Sequence, residues 1–331
     1  LPGSIKSLIK PSKLQNLQKR INKDKIRKAL MGSREKDGLL KQIIVYALLI
    51  CIGFVYLYPI LYMISNSFMN LEDLLDTSIK WIPSSLYLGN YKRAILNMNY
   101  MSSFLQSIVV AGVPTLINVV VCAFVGYGFA RFKFRGKKLF MGILIFSYII
   151  PPQITMMPTY VLYADMKLVG SLWSFVLPAI FGQGLNAPIF ILIFYSFFKQ
   201  IPTVLIEAAH IDGAGYFRSF LRIAVPSAVP AIITVLLFSF VWYWNESYLT
   251  QLYVNGYFSD GNWTTLIVEL KKFDTTYNPQ LSMVVDGVYQ SNNESIRMAA
   301  TMLSILPVLL MYFILQRYFV ESIDRTGITG E

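Results

Sequence analysis

Charge is what this 331-residue sequence has least of: Asp, Glu, Lys and Arg together make up 14% of it, against roughly a quarter in soluble domains. Histidine occurs once, at His210, and cysteine twice, at Cys51 and Cys122. An enzyme needs acid, base, nucleophile or metal ligands brought together, and so sparse a supply offers no such constellation. No G-x-x-x-x-G-K-[ST] phosphate loop is present, and Gly126-Tyr127-Gly128 lacks a third glycine. The chain is therefore not expected to hydrolyse a nucleotide by itself. Both cysteines fall in apolar runs, where a thiol behaves as a small apolar side chain and carries no redox message. No cleavable signal peptide is expected, because the first apolar run begins only at Ile43, behind a strongly basic stretch.

What the sequence has instead is apolar surface: 55% of residues are hydrophobic and the mean hydropathy is +0.52. The hydrocarbon core of a bilayer takes about 20 residues without an unpaired charge. Six stretches meet that requirement, from Gln42 to Leu71, Ala94 to Ala130, Leu139 to Ala164, Leu168 to Phe198, Ile223 to Asn245 and Met298 to Gln316, and they are 19 to 37 residues long. The expected fold is an all-α integral membrane protein with six transmembrane helices, at about 43–66, 104–130, 139–162, 173–198, 226–245 and 298–316. A basic cytoplasmic segment, 1–41, precedes this 42–321 membrane domain, and a cytoplasmic tail, 322–331, follows it.

Basic residues remain on the cytoplasmic side of a membrane protein. With the N-terminus inside, 22 of the 29 Lys and Arg are cytoplasmic, and the outer segments hold ten acids against seven bases. The formal charge of +11 is thus a topology signal. It does not point to nucleic acid, since no soluble domain carries a basic stripe. Lys13 to Met31 sets Leu14, Leu17, Ile21 and Leu30 among basic residues, which fits either a helix on the anionic leaflet or a basic disordered tail. Asn66–Tyr100 and Glu246–Arg297 read as short folded caps on the outer face, and Asn262-Trp263-Thr264 matches a glycosylation sequon.

None of the six stretches contains an ionisable Asp, Glu, Lys, Arg or His. Ion-coupled carriers commonly place such a group, or a broken helix, at the midplane, so the energy source is expected in another subunit. Attention moves to the connection Ile201–Pro230, IPTVLIEAAHIDGAGYFRSFLRIAVPSAVP. It reads as a short helix with Thr203 as cap, with Val204, Ala208 and Ile211 on one face, and with Gly213 as the stop. About ten residues do not make a stable helix alone in water. Ala208 and Ala209 permit close approach, while Glu207 and Asp212 offer charge to a partner. By physics alone the segment is either a docking element or an ordinary interhelical turn, and His210 within it reads as a solvated side chain.

Glu207-Ala208-Ala209-His210-Ile211-Asp212-Gly213-Ala214-Gly215, followed by Phe220, Ile223 and Pro226, resembles the signature loop of binding-protein-dependent ABC importer permeases. Gly126-Tyr127-Gly128-Phe129-Ala130-Arg131-Phe132-Lys133-Phe134-Arg135-Gly136, Pro152-Gln153 with Pro158, and Trp244-Asn245-Glu246 are similar to the carbohydrate branch of that superfamily, of the second-permease, maltose-importer type. The resemblance runs from about Ile43 to the C-terminus. It implies a translocation subunit of an ATP-driven importer in the bacterial cytoplasmic membrane, for a carbohydrate and most readily an oligosaccharide. It implies as partners a homologous second permease, two ATPase subunits that use ATP and Mg, and an extracytoplasmic solute-binding protein. By the same resemblance Glu207, Ala208, Ala209, Asp212, Gly213 and Gly215 couple the spans to the ATPase, within a cytoplasmic loop 201–225. The tail Ser322–Glu331 resembles the glycine-containing end that related permeases direct toward the ATPases, but it closes on Thr329-Gly330-Glu331 where lysine is more common.

A sugar path calls for amides and ring faces. Candidates are Gln153, Asn186, Trp242, Trp244 and Asn245; aromatic residues at span ends also form interfacial belts, and Pro151, Pro152 and Pro188 also simply kink helices. Two other readings stay open: an importer of amino acids, peptides or polyamines, and a self-sufficient secondary carrier.

Overall fold

A computed structural model describes residues 32–33, 36–76, 78, 81–255, 263–275, 284–285, 288–289 and 294–327. The basic segment 13–31, Asn262 of the sequon and residues 328–331 of the tail lie outside the described residues. The described residues are mostly helical, and the chain divides into two compact units, Leu1–Met63 and Ile64–Glu331.

The first unit holds a two-residue antiparallel pair, β1 (Gly32–Ser33) with β2 (Lys36–Asp37), and most of helix α1 (Leu39–Ser67). From Leu39 to Tyr62 its side chains are exposed apart from Gly53. A helix this apolar and this exposed suits lipid as its surroundings.

In the second unit, α2 (Leu71–Leu75) is capped by Asn70, whose side-chain oxygen accepts from the Asp73 amide at 2.7 Å, and α3 (Gly89–Asn97) leads into α4 (Tyr100–Arg131). The central helix α4 packs against α8 (Ala187–Gln200) and α12 (Val229–Asn245). Gly126 allows the approach to α8: a methyl group placed there would stand 2.6 Å from Phe194 Cβ. Between α4 and α8 run α5 (Lys137–Ile149), α6 (Pro152–Asp165) and α7 (Trp173–Ile180). After α8 come α9 (Thr203–Ile211), α10 (Tyr216–Ser219), a π-helical turn at Phe220–Ala224 and α11 (Val225–Ser227), and α12 is followed by a second π turn at Thr250–Val254. The chain continues through α13 (Leu266–Thr275), the pair β3 (Val284–Val285) with β4 (Val288–Tyr289), and α14 (Glu294–Gly327). Helix α14 carries the expected tail onward as helix through Gly327.

Two apolar cores form at opposite ends of α4 and α12. One gathers Cys122 and Tyr127 with Phe190, Phe194, Phe198, Phe220 and Val235. The other gathers Val110 with Phe175, Tyr243, Trp244, Leu266 and Ile296. The C-terminal end of α4 thus meets the N-terminal end of α12, and the two helices run antiparallel.

Leu39–Ser67, Tyr100–Arg131 and Glu294–Gln316 are each long and apolar enough to cross a membrane. Three further helix pairs qualify together, Lys137–Ile149 with Pro152–Asp165, Ala187–Gln200 with Thr203–Ile211, and Tyr216–Ser227 with Val229–Asn245, bent by 95°, 73° and 78°; six spans result if each bent pair is one. Three of the spans expected as continuous are broken, 226–245 near its start at Ala228 and two others within their length. In 139–162 the break falls at Ile150-Pro151, because a residue before proline is pushed out of the helical region, and Ile150 and Pro151 are both extended. In 173–198 it falls at 181–186, where Gly182 (φ +71°) and Asn186 (φ +54°) take left-handed backbone that continues no right-handed helix. Freedom from charge marks what lipid tolerates but not whether the backbone stays helical.

Candidate docking loop and membrane cavity

The Ile201–Gly215 connection forms a knob. Pro202 occupies the residue before helix α9, and Thr203 is its first helical residue, without a side-chain cap hydrogen bond. The expected Thr203 cap is thus replaced by a proline, whose fixed φ suits a helix entry and which has no N–H to satisfy. At the other end Gly213 (φ +82°) closes the helix: its amide donates to the His210 carbonyl at 3.1 Å, and the Ala214 amide donates to the Ala209 carbonyl at 2.8 Å. This glycine closure fits the expected stop and satisfies carbonyls that a helix end leaves free.

Only Ile206 in α9 is buried, at 8% exposure. Val204, Ala208 and Ile211, grouped on one face by the sequence, are not buried with it: Val204 and Ile211 are exposed, Ile211 to 86%. Glu207, Asp212 and Gly213 are exposed as well, and Ala209 is half-buried. The knob shows apolar and acidic side chains outward and retains two buried apolar side chains, Ile201 at its base and Ile206 in the helix.

A second set of contacts, not singled out in the sequence, braces the knob from α4. Arg131 Nη2 donates to the Ile201 carbonyl at 2.5 Å. The His210 ring meets the edge of Tyr216 at 4.8 Å between centroids, Tyr216 meets Phe132 at 5.3 Å, and Phe132 meets Tyr127 at 6.3 Å. Tyr127 in turn packs on Phe198 and Phe220 within the core. His210, read from sequence as solvated, is exposed but also the outer end of this chain of rings.

Elsewhere in the same unit the helix breaks at 150–151 and 181–186 border an open cleft of about 780 Å³, walled by the ends of α5 to α8, by α12, and by Leu249 and Tyr253 beyond it. Asn186 and Trp242 line it. Gln153 is exposed at the start of α6 but is not among the lining residues, and Asn245 instead lines a neighbouring hollow of about 260 Å³ together with Trp242 and Glu246. Trp244 is 3% exposed, stacks on Phe240, and donates from Nε1 to the Ser304 carbonyl at 3.2 Å, so it binds α12 to α14 within the core.

The 181–186 break is held by side chains that sequence reading missed. The Leu185 amide donates to the Tyr243 hydroxyl at 3.0 Å, and Asn118 Nδ2 donates to the Leu185 carbonyl at 3.2 Å. Asn118 also donates to Ser239 Oγ at 3.2 Å and accepts from the Cys122 thiol. Non-helical backbone at membrane depth survives only where protein or a water-filled cavity satisfies it. The signal available in the sequence was an asparagine inside an otherwise apolar run.

A model of the family described as "Binding-protein-dependent transport system inner membrane component" matches residues 118–325. The chain belongs to that family. As an inner membrane component it lies in a membrane, and both the knob and the cavity lie within the matched region. Family resemblance extends to whole proteins. The chain is 27% identical to the probable ABC transporter permease protein YurM of Bacillus subtilis (strain 168), over 82% of this chain and 84% of the relative. It is 26% identical to the polygalacturonan/rhamnogalacturonan transport system permease protein YtcP of the same organism, over 87% and 97%. The arabinooligosaccharides transport system permease protein AraQ of Halalkalibacterium halodurans is 27% identical over 84% and 93%. Among solved structures, a chain from a bacterial ABC transporter involved in the import of the acidic polysaccharide alginate superimposes with a TM-score of 0.72 at 22% identity, covering 87% of this chain and 98% of that one. The fold is thus that of an ABC importer permease.

Proposed function

We propose that this inner membrane component is a translocation subunit of an ATP-driven importer whose cargo is a carbohydrate, an oligosaccharide first of all. The observation that carries the proposal is the knob: a short helix closed at Gly213, anchored by Ile206 and braced to α4 through Arg131, with its acidic and apolar side chains turned outward. So few residues gain helical stability by docking, and their exposure leaves them ready to do so. The names of relatives such as AraQ and YtcP support a saccharide cargo.

In this reading the chain crosses the bilayer six times with both termini and the knob on the cytoplasmic side. It pairs with a homologous second permease, and two ATPase subunits bind ATP and Mg and receive the knobs. A solute-binding protein delivers the cargo from outside. Glu207, Ala208, Ala209, Asp212, Gly213 and Gly215 form the docking surface. Closure of the ATPases would displace the knob, and the Arg131 hydrogen bond and the ring contacts from His210 to Tyr127 would carry that displacement to α4.

Reconstitution tests the proposal. The assembled complex in proteoliposomes should take up labelled oligosaccharide only with ATP inside and binding protein outside. Uptake by the purified chain alone, with no ATPase present, would establish the secondary-carrier reading instead.

A further inference from the structure

Relatives of this chain bear names of both acidic and neutral saccharide systems, and the cavity bears on which class this chain serves. Among the described residues, no Asp, Glu, Lys, Arg or His lines it. Its polar side chains include Ser147, Thr155, Thr159, Gln183 and Asn186, and its ring faces come from residues that include Tyr148 and Trp242. Trp242 is 49% exposed and is shared with the adjoining hollow. The charged residue of that hollow is Glu246, whose carboxylate accepts the amides of Tyr248 and Leu249 at 2.9 Å each.

We infer that the cavity takes neutral saccharides and disfavours uronate-bearing ones. A sugar hydroxyl both donates and accepts, so Ser, Thr, Asn and Gln side chains satisfy it without charge, and an apolar sugar face stacks on tryptophan or tyrosine. A uronate carboxylate leaving water is compensated best by a cation, while neutral hydroxyls and amides compensate it only in part. The described wall supplies no cation, and the charge beside it is a carboxylate, which repels another. The inference rests on the carbohydrate reading given above and narrows it.

Two measurements keep the inference and that reading apart. First, Thr155→Cys is made in a Cys51→Ala background of the assembled complex; the Thr155 side chain makes a local bond to the Pro152 carbonyl, so its loss spares the fold. Labelling rates are compared for an anionic and a cationic methanethiosulfonate, each normalised to its rate on a free small thiol. The anionic reagent should react roughly fivefold or more slower than the cationic one, as expected of a site bordered by the Glu246 carboxylate and no cation. Equal normalised rates, or a faster anion, would overturn the inference whatever the cargo. Second, proteoliposome import is measured with raffinose, arabinotriose and trigalacturonate. A neutral probe should enter, and Trp242→Ala should slow it roughly five- to tenfold, the size of a lost aromatic contact. Import of trigalacturonate at a rate matching the neutral probes would overturn the inference and leave the carbohydrate reading standing. Import of amino acids with no saccharide would overturn both.

Discussion

Arg131, the last residue of α4, donates from Nη2 to the carbonyl of Ile201, which stands immediately before Pro202 and helix α9. Ile201 ends one membrane helix and begins the knob, so a bond at that carbonyl ties the central helix to the point where force would enter. The Arg side chain is long enough to act as a strut, and its planar guanidinium fixes the direction of the bond. Arg131→Met keeps most of the stem and removes the donor. The complex is expected to assemble and hydrolyse ATP, with the amount of cargo moved per ATP falling several-fold. Parallel measurement of phosphate release and uptake in proteoliposomes checks this, and an unchanged ratio would remove the strut from the mechanism.

Glu207 and Gly213 test the knob in different ways. Glu207 is exposed, so Glu207→Lys reverses the charge of the proposed docking surface without touching the fold. Gly213 sits at φ +82° with open space around it, so Gly213→Asp strains the backbone only modestly, Asp being among the residues that tolerate this region, and adds a negative charge to the exposed knob. Both variants are expected to abolish cargo-stimulated ATP hydrolysis while the subunits still co-purify. Wild-type stimulation in both would exclude docking through this loop.

Much of this architecture was legible in the sequence because lipid imposes a simple rule: long stretches without charge. The knob was legible because Gly213 ends a short helix in a left-handed conformation that glycine adopts readily. The breaks at 150–151 and 181–186 were not, although Pro151-Pro152 and Gly182 stand in plain view, because hydropathy reports composition rather than torsion. Trp244 shows a further limit. It is adjacent to Tyr243 and about 100° away around the helix, and only the rotational phase of α12 decides that Tyr243 reaches the cavity wall while Trp244 reaches Ser304. Arg131 stands out in the sequence as part of a string of aromatic and basic residues, but its partner lies 70 positions away.

Close packing of α4 on α8 makes Gly126 and Gly128 a contrasting pair. A Cβ at Gly126 would meet Phe194 Cβ at 2.6 Å and the Ile191 carbonyl oxygen at 3.0 Å, and one at Gly128 would meet nothing within 4 Å. The atoms around Gly126 are backbone or the base of a side chain, so they cannot swing aside. Gly126→Ala is expected to destabilise the protein by about 1–3 kcal/mol through overpacking, and Gly128→Ala to leave it unchanged or slightly firmer. Thermal unfolding of the two variants in detergent, followed by loss of monodisperse protein, separates them.

Leu185 has both of its backbone hydrogen-bonding groups met by side chains from other helices, the amide by the Tyr243 hydroxyl on α12 and the carbonyl by Asn118 on α4. These two bonds hold open the non-helical turn that forms one wall of the cavity. Tyr243→Phe removes one hydroxyl, keeps the ring against Phe175, and leaves the Leu185 amide unmet. Side-chain hydrogen bonds inside membranes are worth on average about 0.6 kcal/mol and up to about 1.7, so a modest fall in thermal stability is expected. Asn118→Leu should cost more, because Ser239 loses its partner and the Cys122 thiol loses one of two acceptors, keeping only the Ala187 carbonyl. Since both side chains act on one residue, the double variant should be less damaging than the two single effects added together, the non-additivity of a shared network. Melting temperatures of the four proteins in one detergent give the coupling directly, and strict additivity would mean that Leu185 is held by something other than this pair.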